Sequence, residues 1–430
     1  MNIFKTGISY FKSAWKFKIF RYAIYLQIFY FILSAVLTLI FFRSFNDFNV
    51  YYEVGQVVVT NITELYQIEY QWPFRYFPLS AFFFVPFYYL GFDVGFIVFN
   101  ILNLMLNGCI SILLFKIIML SKGAGHEKSN KRAVLYISLY LMGTPQLFNL
   151  ILGQINLYVI FLILLSLYLF LSHDTLKWRF IASVILGISA IFKPVTLFLF
   201  PFLIILRYNK ESKKIEFKFL ESFIRIVGAL IPLALNLILF IFFPPLLEGF
   251  ININLTGEET VLINHSMSIT KLISNLLYLF GISGPDLLMI QFPLFICVLS
   301  FFALLGFIFY FILQTRRLNQ ESLIYGYILG ILIMFLSYFD TWNHHLLIIN
   351  PLLIIIIFNF SRTSLITDKI VKKGFSFLNF FDIIFTGIFF ITESFFPLNF
   401  AGTIFLIMIL YGIFKFCYRG DSQGESDNIP

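Results

Sequence analysis

Asp47 is a carboxylate placed a few residues after an apolar run, in the segment RSFNDFNVYY. A positioned carboxylate there can draw the proton from an attacking hydroxyl as a general base. An aspartate in that place can equally cap a helix. Lys193 precedes Pro194 in the middle of a long apolar run, 179–206. An ammonium inside lipid needs a partner, and a phosphate suits it, whereas a lysine at a helix end can also snorkel to the interface. Arg75 is a second cation in a segment expected outside the membrane, within PFRYFP. Gln154 and Asn156, in LGQIN, can donate hydrogen bonds or simply build a turn. Asn264 and Ser266, in INHSMSITK, offer further polar groups. Trp342, His344 and His345, beside Asp340 in FDTWNHH, offer stacking and hydrogen bonds to a sugar or phosphate, or anchor the chain at the interface. Adjacent histidines lack the i, i+4 spacing by which helical zinc sites gather ligands.

The elements that must hold these residues are membrane helices. Only 12% of the 430 residues are charged and 60% are hydrophobic, with phenylalanine alone supplying 60. A soluble domain carries about 25% charged residues because its surface meets water; this surface must meet lipid. The net charge of +8 does not indicate nucleic acid, because Lys and Arg collect in short loops between apolar runs, as expected of cytoplasmic loops. Cys109, Cys297 and Cys417 form neither a disulfide nor a metal framework. The first apolar run, 22–42, is long enough to span and lacks a small-residue cleavage site, so it reads as a retained anchor.

Apolar runs near the ~20 residues needed to cross fall at 22–42, 94–119, 133–150, 155–172, 222–243, 286–312, 323–339, 345–360, 375–392 and 400–416. The run 179–206 reads as two short helices meeting at Lys193-Pro194, since proline lacks the N–H that continues a helix. Each half reaches roughly 21 Å, short of the ~30 Å hydrocarbon core. If the run enters and leaves on one side, and 77–91 lies along the outer surface, the basic loops all become cytoplasmic. The expectation is an all-α, polytopic helical bundle of about twelve passes with both termini in the cytoplasm. One membrane domain spans 1–416, with outer loops 43–93 and 244–285, and a polar tail follows at 417–430. Residues 43–76 and 269–280 have the alternation of helices lying in the interface.

The polar clusters all fall on the outer side of this topology. The sequons at Asn61, Asn254 and Asn264 fall there too. No P-loop, dinucleotide fingerprint or nucleophile elbow occurs, so a sugar donor would be lipid-linked. A secondary transporter or lipid-linked-sugar flippase would explain the passes equally well, but it calls for paired carboxylates along a path. Asp382 is the clear candidate deep in a span. A non-catalytic scaffold leaves the outer polar clusters unexplained.

DFNVYYEVGQ, LYQ and PFRYFPLSAFFFVPFYYLG together resemble the first outer loop of GT-C glycosyltransferases of family 87. LILGQINLYVIFLILLSLYL and ILGISAIFKPVTLFLFPFLIILRY are similar to that family's central block, and INHSMSITKLI and SYFDTWNHHLLIINPLL to its later outer-loop motifs. Two positions depart: His265 stands where the family often has Gln after Asn264, and Phe77 where a first Pro often precedes Pro78. The resemblance implies an inverting mannosyltransferase, or a relative of other sugar specificity, that uses a polyprenyl-phosphate sugar and a glycan or glycolipid acceptor. It implies Asp47 as the catalytic carboxylate, Lys193 in the family's KP motif and Gln154 in its GQ motif. Lys193 or Arg75 would then meet the phosphate, and Asn156, Asn264, Ser266, Trp342, His344 and His345 would hold sugar or phosphate oxygens. A divalent metal, Mg or Mn, could share the work at the phosphate, although the sequence shows no dedicated cage. The membrane would be the cell membrane of an archaeon or bacterium, or the endoplasmic reticulum of a eukaryote.

Overall fold

The computed structural model describes residues 3–122, 127–209, 214–255, 266–282, 284–316, 319–339, 341–359, 365–392 and 400–419. Asn264 and Asp340 lie outside these residues. The chain divides into two compact units: Met1–Ser172 with Val184–Pro194 and Leu230–Leu255, and His173–Ser183 with Val195–Ala229 and Thr256–Pro430.

The first unit opens with α1 (Ile3–Ala14) and α2 (Lys18–Ile40). Helix α2 buries Phe20, Ala23, Gln27, Tyr30, Ser34 and Thr38, spaced three or four apart. Tyr22, Tyr25, Phe29 and Ile32 on its other side are exposed. Apolar residues outside and polar ones inside are what a helix facing lipid requires. The outer loop carries α3 (Asp47–Thr60), and the short helices α4 (Pro78–Ala81) and α5 (Val85–Tyr89) follow before α6 (Phe92–Lys122). Helices α7 (Glu127–Leu141), α8 (Thr144–Leu152) and α9 (Asn156–Ser172) complete the run.

The span expected at 133–150 is broken. Residues 130–141 and 144–152 are bent by 42°, with Gly143 as the N-cap and Pro145 in the first turn of α8. Proline cannot donate to the preceding turn, which frees carbonyls inside the bundle. Helix α2 satisfies them: Gln27 Nε2 donates to Leu141 O at 2.5 Å and Tyr30 Oη to Met142 O at 3.1 Å. Asn107 Nδ2 in turn donates to Gln27 Oε1 at 3.0 Å and to Gln146 Oε1 at 2.9 Å.

Two long helices, α10 (Leu176–Phe192) and α11 (Phe219–Phe242), send their C-terminal parts into the first unit, which closes with α12 (Pro244–Leu255). Helix α10 stops at the Lys193-Pro194 break as expected. The second half of that run is not an α-helix but a 3₁₀ segment, Pro194–Leu203, with Pro201 inside it. Two prolines within eight residues prevent the regular i→i−4 ladder there.

The second unit contains this 3₁₀ segment from Val195 onward and a small hairpin, β1 (Leu206–Asn209) and β2 (Lys214–Phe217), antiparallel with Leu206 opposite Phe217. The basic loop expected in the cytoplasm thus carries strand structure that its hydropathy does not predict. Helix α13 (Ile269–Leu279) covers the helix expected at 269–280, and Ser268 caps it by accepting from Lys271 N at 3.1 Å. Its buried face is polar, with Thr270, Lys271, Ser274 and Asn275 inside, while Leu276 and Leu279 are exposed. Then come α14 (Pro285–Arg316), α15 (Asn319–Ser337) and α16 (Leu346–Asn359). Residues 346–358 are all buried, as a helix apolar all round should be. Helix α17 (Leu365–Ser376) runs through a π-turn, Phe377–Phe381, into α18 (Asp382–Thr392), and α19 (Ala401–Arg419) ends the described chain.

Among the described residues α2, α11 and most of α6 and α14 are long and apolar enough to cross a membrane, and the bent pair α7/α8 makes a fifth candidate. Expected passes at 155–172, 323–339, 345–360 and 400–416 fall on shorter apolar helices. The chain is a multi-pass, all-α membrane protein.

Candidate active site

In the first unit the site is built around the start of α3. That helix begins because Asn46 is extended and caps it, accepting from Asn49 N at 2.9 Å. Its amide also donates to Phe42 O at 2.7 Å and to Arg43 O at 2.9 Å. Capping is therefore performed by Asn46 and does not account for Asp47. Asp47 is the first residue of α3 and half-buried, where the helix dipole favours a carboxylate. The next residue, Phe48, is fully buried among Phe87, Phe92, Phe96 and Phe99.

One turn further along, Tyr51 packs flat on Phe84, with ring centroids 4.4 Å apart. Its hydroxyl lies 2.9 Å from that of Tyr76 and donates to Gln154 Oε1 at 3.2 Å. Burial holds the Tyr51 hydroxyl well above its ordinary pKa; the hydroxyl of Tyr76 and the Asp47 carboxylate push the same way. A hydrogen bond from the Ile155 backbone opposes them. Tyr51 is thus a neutral donor beside Asp47. Tyr76 follows Arg75, which is half-buried, and Tyr66 Oη donates to the Tyr76 carbonyl at 2.5 Å.

Gln154 and Asn156 flank Ile155 on the turn between α8 and α9. Gly153 ends α8 in the left-handed conformation at φ +63°, and a Cβ on it would meet Phe48 Cβ at 2.6 Å. Only glycine fits both demands. Gln154 N donates to Asn149 O at 2.8 Å, and Asn149 Nδ2 donates back to Gln154 O at 3.2 Å. Asn156, fully buried, accepts from Lys193 Nζ at 2.5 Å. Lys193 is only 4% exposed. A snorkelling lysine would hold its ammonium out of the protein, so that reading fails.

Five expected residues, Asp47, Arg75, Gln154, Asn156 and Lys193, therefore fall in this unit, and bonds join Tyr51 to Gln154 and Asn156 to Lys193. Sequence reasoning missed Tyr51 and Tyr76, although both stand within the motif segments quoted above.

In the second unit Ser266 is buried, and its hydroxyl accepts from Thr341 N at 3.3 Å. Trp342 and His344 are half-buried and His345 is buried. His345 Nδ1 accepts from Trp342 N at 3.2 Å, and the two histidine rings lie 4.3 Å apart. Asn343, which was not singled out from sequence, donates to Asp382 Oδ2 at 2.7 Å. Among the described residues no three His, Cys, Asp or Glu side chains gather as a metal site.

Residues 74–337 match Glycosyltransferase family 87. The chain belongs to that family. No curated protein matches it. This family 87 protein is a membrane glycosyltransferase, and its activity requires a sugar donor, an acceptor and a lipid setting. Arg75, Gln154, Asn156, Lys193 and Ser266 lie within the matched residues; Asp47, Trp342, His344 and His345 lie outside them.

Proposed function

We propose that this glycosyltransferase moves mannose from a polyprenyl-phosphate donor to an acceptor hydroxyl on the extracytoplasmic face, with inversion at the anomeric carbon. The acceptor is a glycan or glycolipid. As the acceptor oxygen bonds to the anomeric carbon, the Asp47 carboxylate takes its proton. The bond from that carbon to the phosphate oxygen breaks on the opposite face, and polyprenyl phosphate leaves with the electron pair. One displacement gives inversion.

The observation that carries this reading is the buried ammonium of Lys193, held by Asn156 on the turn whose Gln154 is bonded to Tyr51, one helical turn from Asp47. A cation in a water-poor setting stabilises charge that develops on a leaving phosphate. Arg75 serves as a second cation in the same unit. In the second unit the Trp342–His345 turn, with Ser266, offers stacking and hydrogen bonds to a sugar. A divalent ion, Mg or Mn, would add to the charge stabilisation at the phosphate.

The test is transfer of labelled mannose from polyprenyl-phosphate mannose in membranes containing the protein. Asp47→Asn should abolish transfer in a protein that still folds; transfer at the wild-type rate would remove Asp47 as the base. Accessibility labelling around Lys193 separates this reading from transport: access from both sides in turn would favour a carrier.

A further inference from the structure

The segment beyond residue 337 lies outside the family match, yet in the second unit it supplies the groups that fix the histidine turn. Asp382, the first residue of α18, is fully buried. Its Oδ2 accepts from Asn343 Nδ2 at 2.7 Å and from Thr386 Oγ1 at 3.4 Å. Among the described residues its Oδ1 has no hydrogen-bond partner, and it packs against α19 at Gly402, where a Cβ would come within 2.7 Å. The π-turn just before it sets the register, and Asn379 within that turn accepts from Asn350 Nδ2 at 3.0 Å. Burying a carboxyl is costly unless it is bonded, and a bond to a carboxylate is stronger and more directional than one between neutral groups.

What Asp382 grips is the start of the short 3₁₀ turn Asn343–His345. The other side of that turn is pinned by the bond from Trp342 N to His345 Nδ1. Upstream, Met267 N donates to Thr341 O at 3.0 Å, and Thr403 Oγ1 donates to Met267 O at 2.9 Å. Thr341, Trp342, Asn343 and His345 each take part in one of these bonds, while His344 itself stays half-buried and Trp342 likewise.

We propose that Asp382 is a positioning residue: through Asn343 it fixes the turn that presents Trp342 and His344 to the substrate sugar. This rests on the sugar-binding role given to that turn above. It assigns the C-terminal helices a part in substrate affinity.

The experiment uses the full chain in lipid nanodiscs, with polyprenyl-phosphate mannose as donor. It combines steady-state kinetics with hydrogen exchange at residues 341–345. Asp382→Leu removes the acceptor and should raise KM about tenfold, the scale of one lost hydrogen bond, with kcat held within about twofold. Exchange at 341–345 should accelerate. The paired change Asn343→Asp with Asp382→Asn exchanges donor and acceptor and should recover most of the KM; either change alone should not. Gly402→Ala presses a methyl on Oδ1, and less closely on the Met267 side chain at 3.1 Å, while leaving Asp382 and Asn343 in place, and serves if Asp382→Leu does not fold. An unchanged KM together with unchanged exchange overturns the proposal, as does a paired variant no better than the worse single one. Faster exchange with unmoved kinetics instead sinks the sugar-binding role of the turn, so the two failures are told apart.

Discussion

Gly153 lies against Phe48 so closely that a single added methyl would sit 2.6 Å from the Phe48 Cβ. The turn bearing Gln154 and Asn156 therefore registers directly on the residue next to Asp47. Gly153→Ala has to adopt a left-handed conformation and displace a buried ring. A loss of about 2–4 kcal/mol is expected, read as a falling melting temperature in detergent and a parallel loss of transfer. Gly91, at φ +75° with nothing within 4 Å of where a Cβ would sit, is the control: Gly91→Ala should cost only about 1 kcal/mol of strain.

Asp47 and Asn46 are adjacent and should separate cleanly. Asn46→Ala removes a cap and should cost about 1 kcal/mol of stability. Asp47→Asn should leave the melting temperature close to wild type and lower kcat by about 10²–10⁴-fold, the scale of a lost general base. Melting curves and transfer rates on the same two samples check both.

Lys193→Met keeps the length of the side chain and removes its charge. If the ammonium meets the leaving phosphate, kcat should drop by about 10²-fold or more while KM moves less. Asn156→Leu takes away the acceptor at 2.5 Å and should reproduce part of this loss through misplacement of Lys193. Wild-type kinetics for Lys193→Met would leave the lysine a packing role only.

Glu53 gives a pH signature. Burial lifts its carboxyl above the ordinary value, partly offset by the hydrogen bond from Asn49 Nδ2 at 2.8 Å. A raised native pKa means that the unfolded chain binds fewer protons as pH rises through the ordinary glutamate value, so stability falls there. The contribution is complete below about pH 4 and is lost through the raised native value. Glu53→Gln should flatten this slope, matching wild type near pH 4 and equalling or exceeding it near pH 7. Melting temperature against pH is the measurement.

The sequence carried the membrane class, the family and most helix positions, because lipid imposes long apolar runs and loops collect charge. Helix α13 falls within one residue of its expected end, and the α10 break at Lys193-Pro194 is where proline demands it. The break in the span 133–150 carried a signal in Gly143 and Pro145 that the uniform apolar run outweighed. The 3₁₀ geometry of Pro194–Leu203 and the π-turn at 377–381 were not legible, since hydropathy does not distinguish one helical hydrogen-bond pattern from another. The Tyr51–Tyr76 and Asn343–Asp382 pairs were hidden for a different reason. They join residues 25 and 39 apart, and no local spacing rule reaches so far. Lys271 is buried on the polar inner face of α13, and amphipathic spacing alone does not say which face of a helix turns inward.

The corner between α7 and α8 also bears on how the protein is made. A ribosome delivers residues 18–40 to the bilayer well before residues 130–152, and chains assemble from the N-terminus as they emerge. The amide of Gln27 and the phenol of Tyr30 are thus already in place when the carbonyls of Leu141 and Met142 arrive. Helix α2 acts as an assembly jig. With leucine at both positions, the newcomer would expose two bare peptide oxygens to oil, each costing several kcal/mol, and biogenesis would falter before any sugar was met.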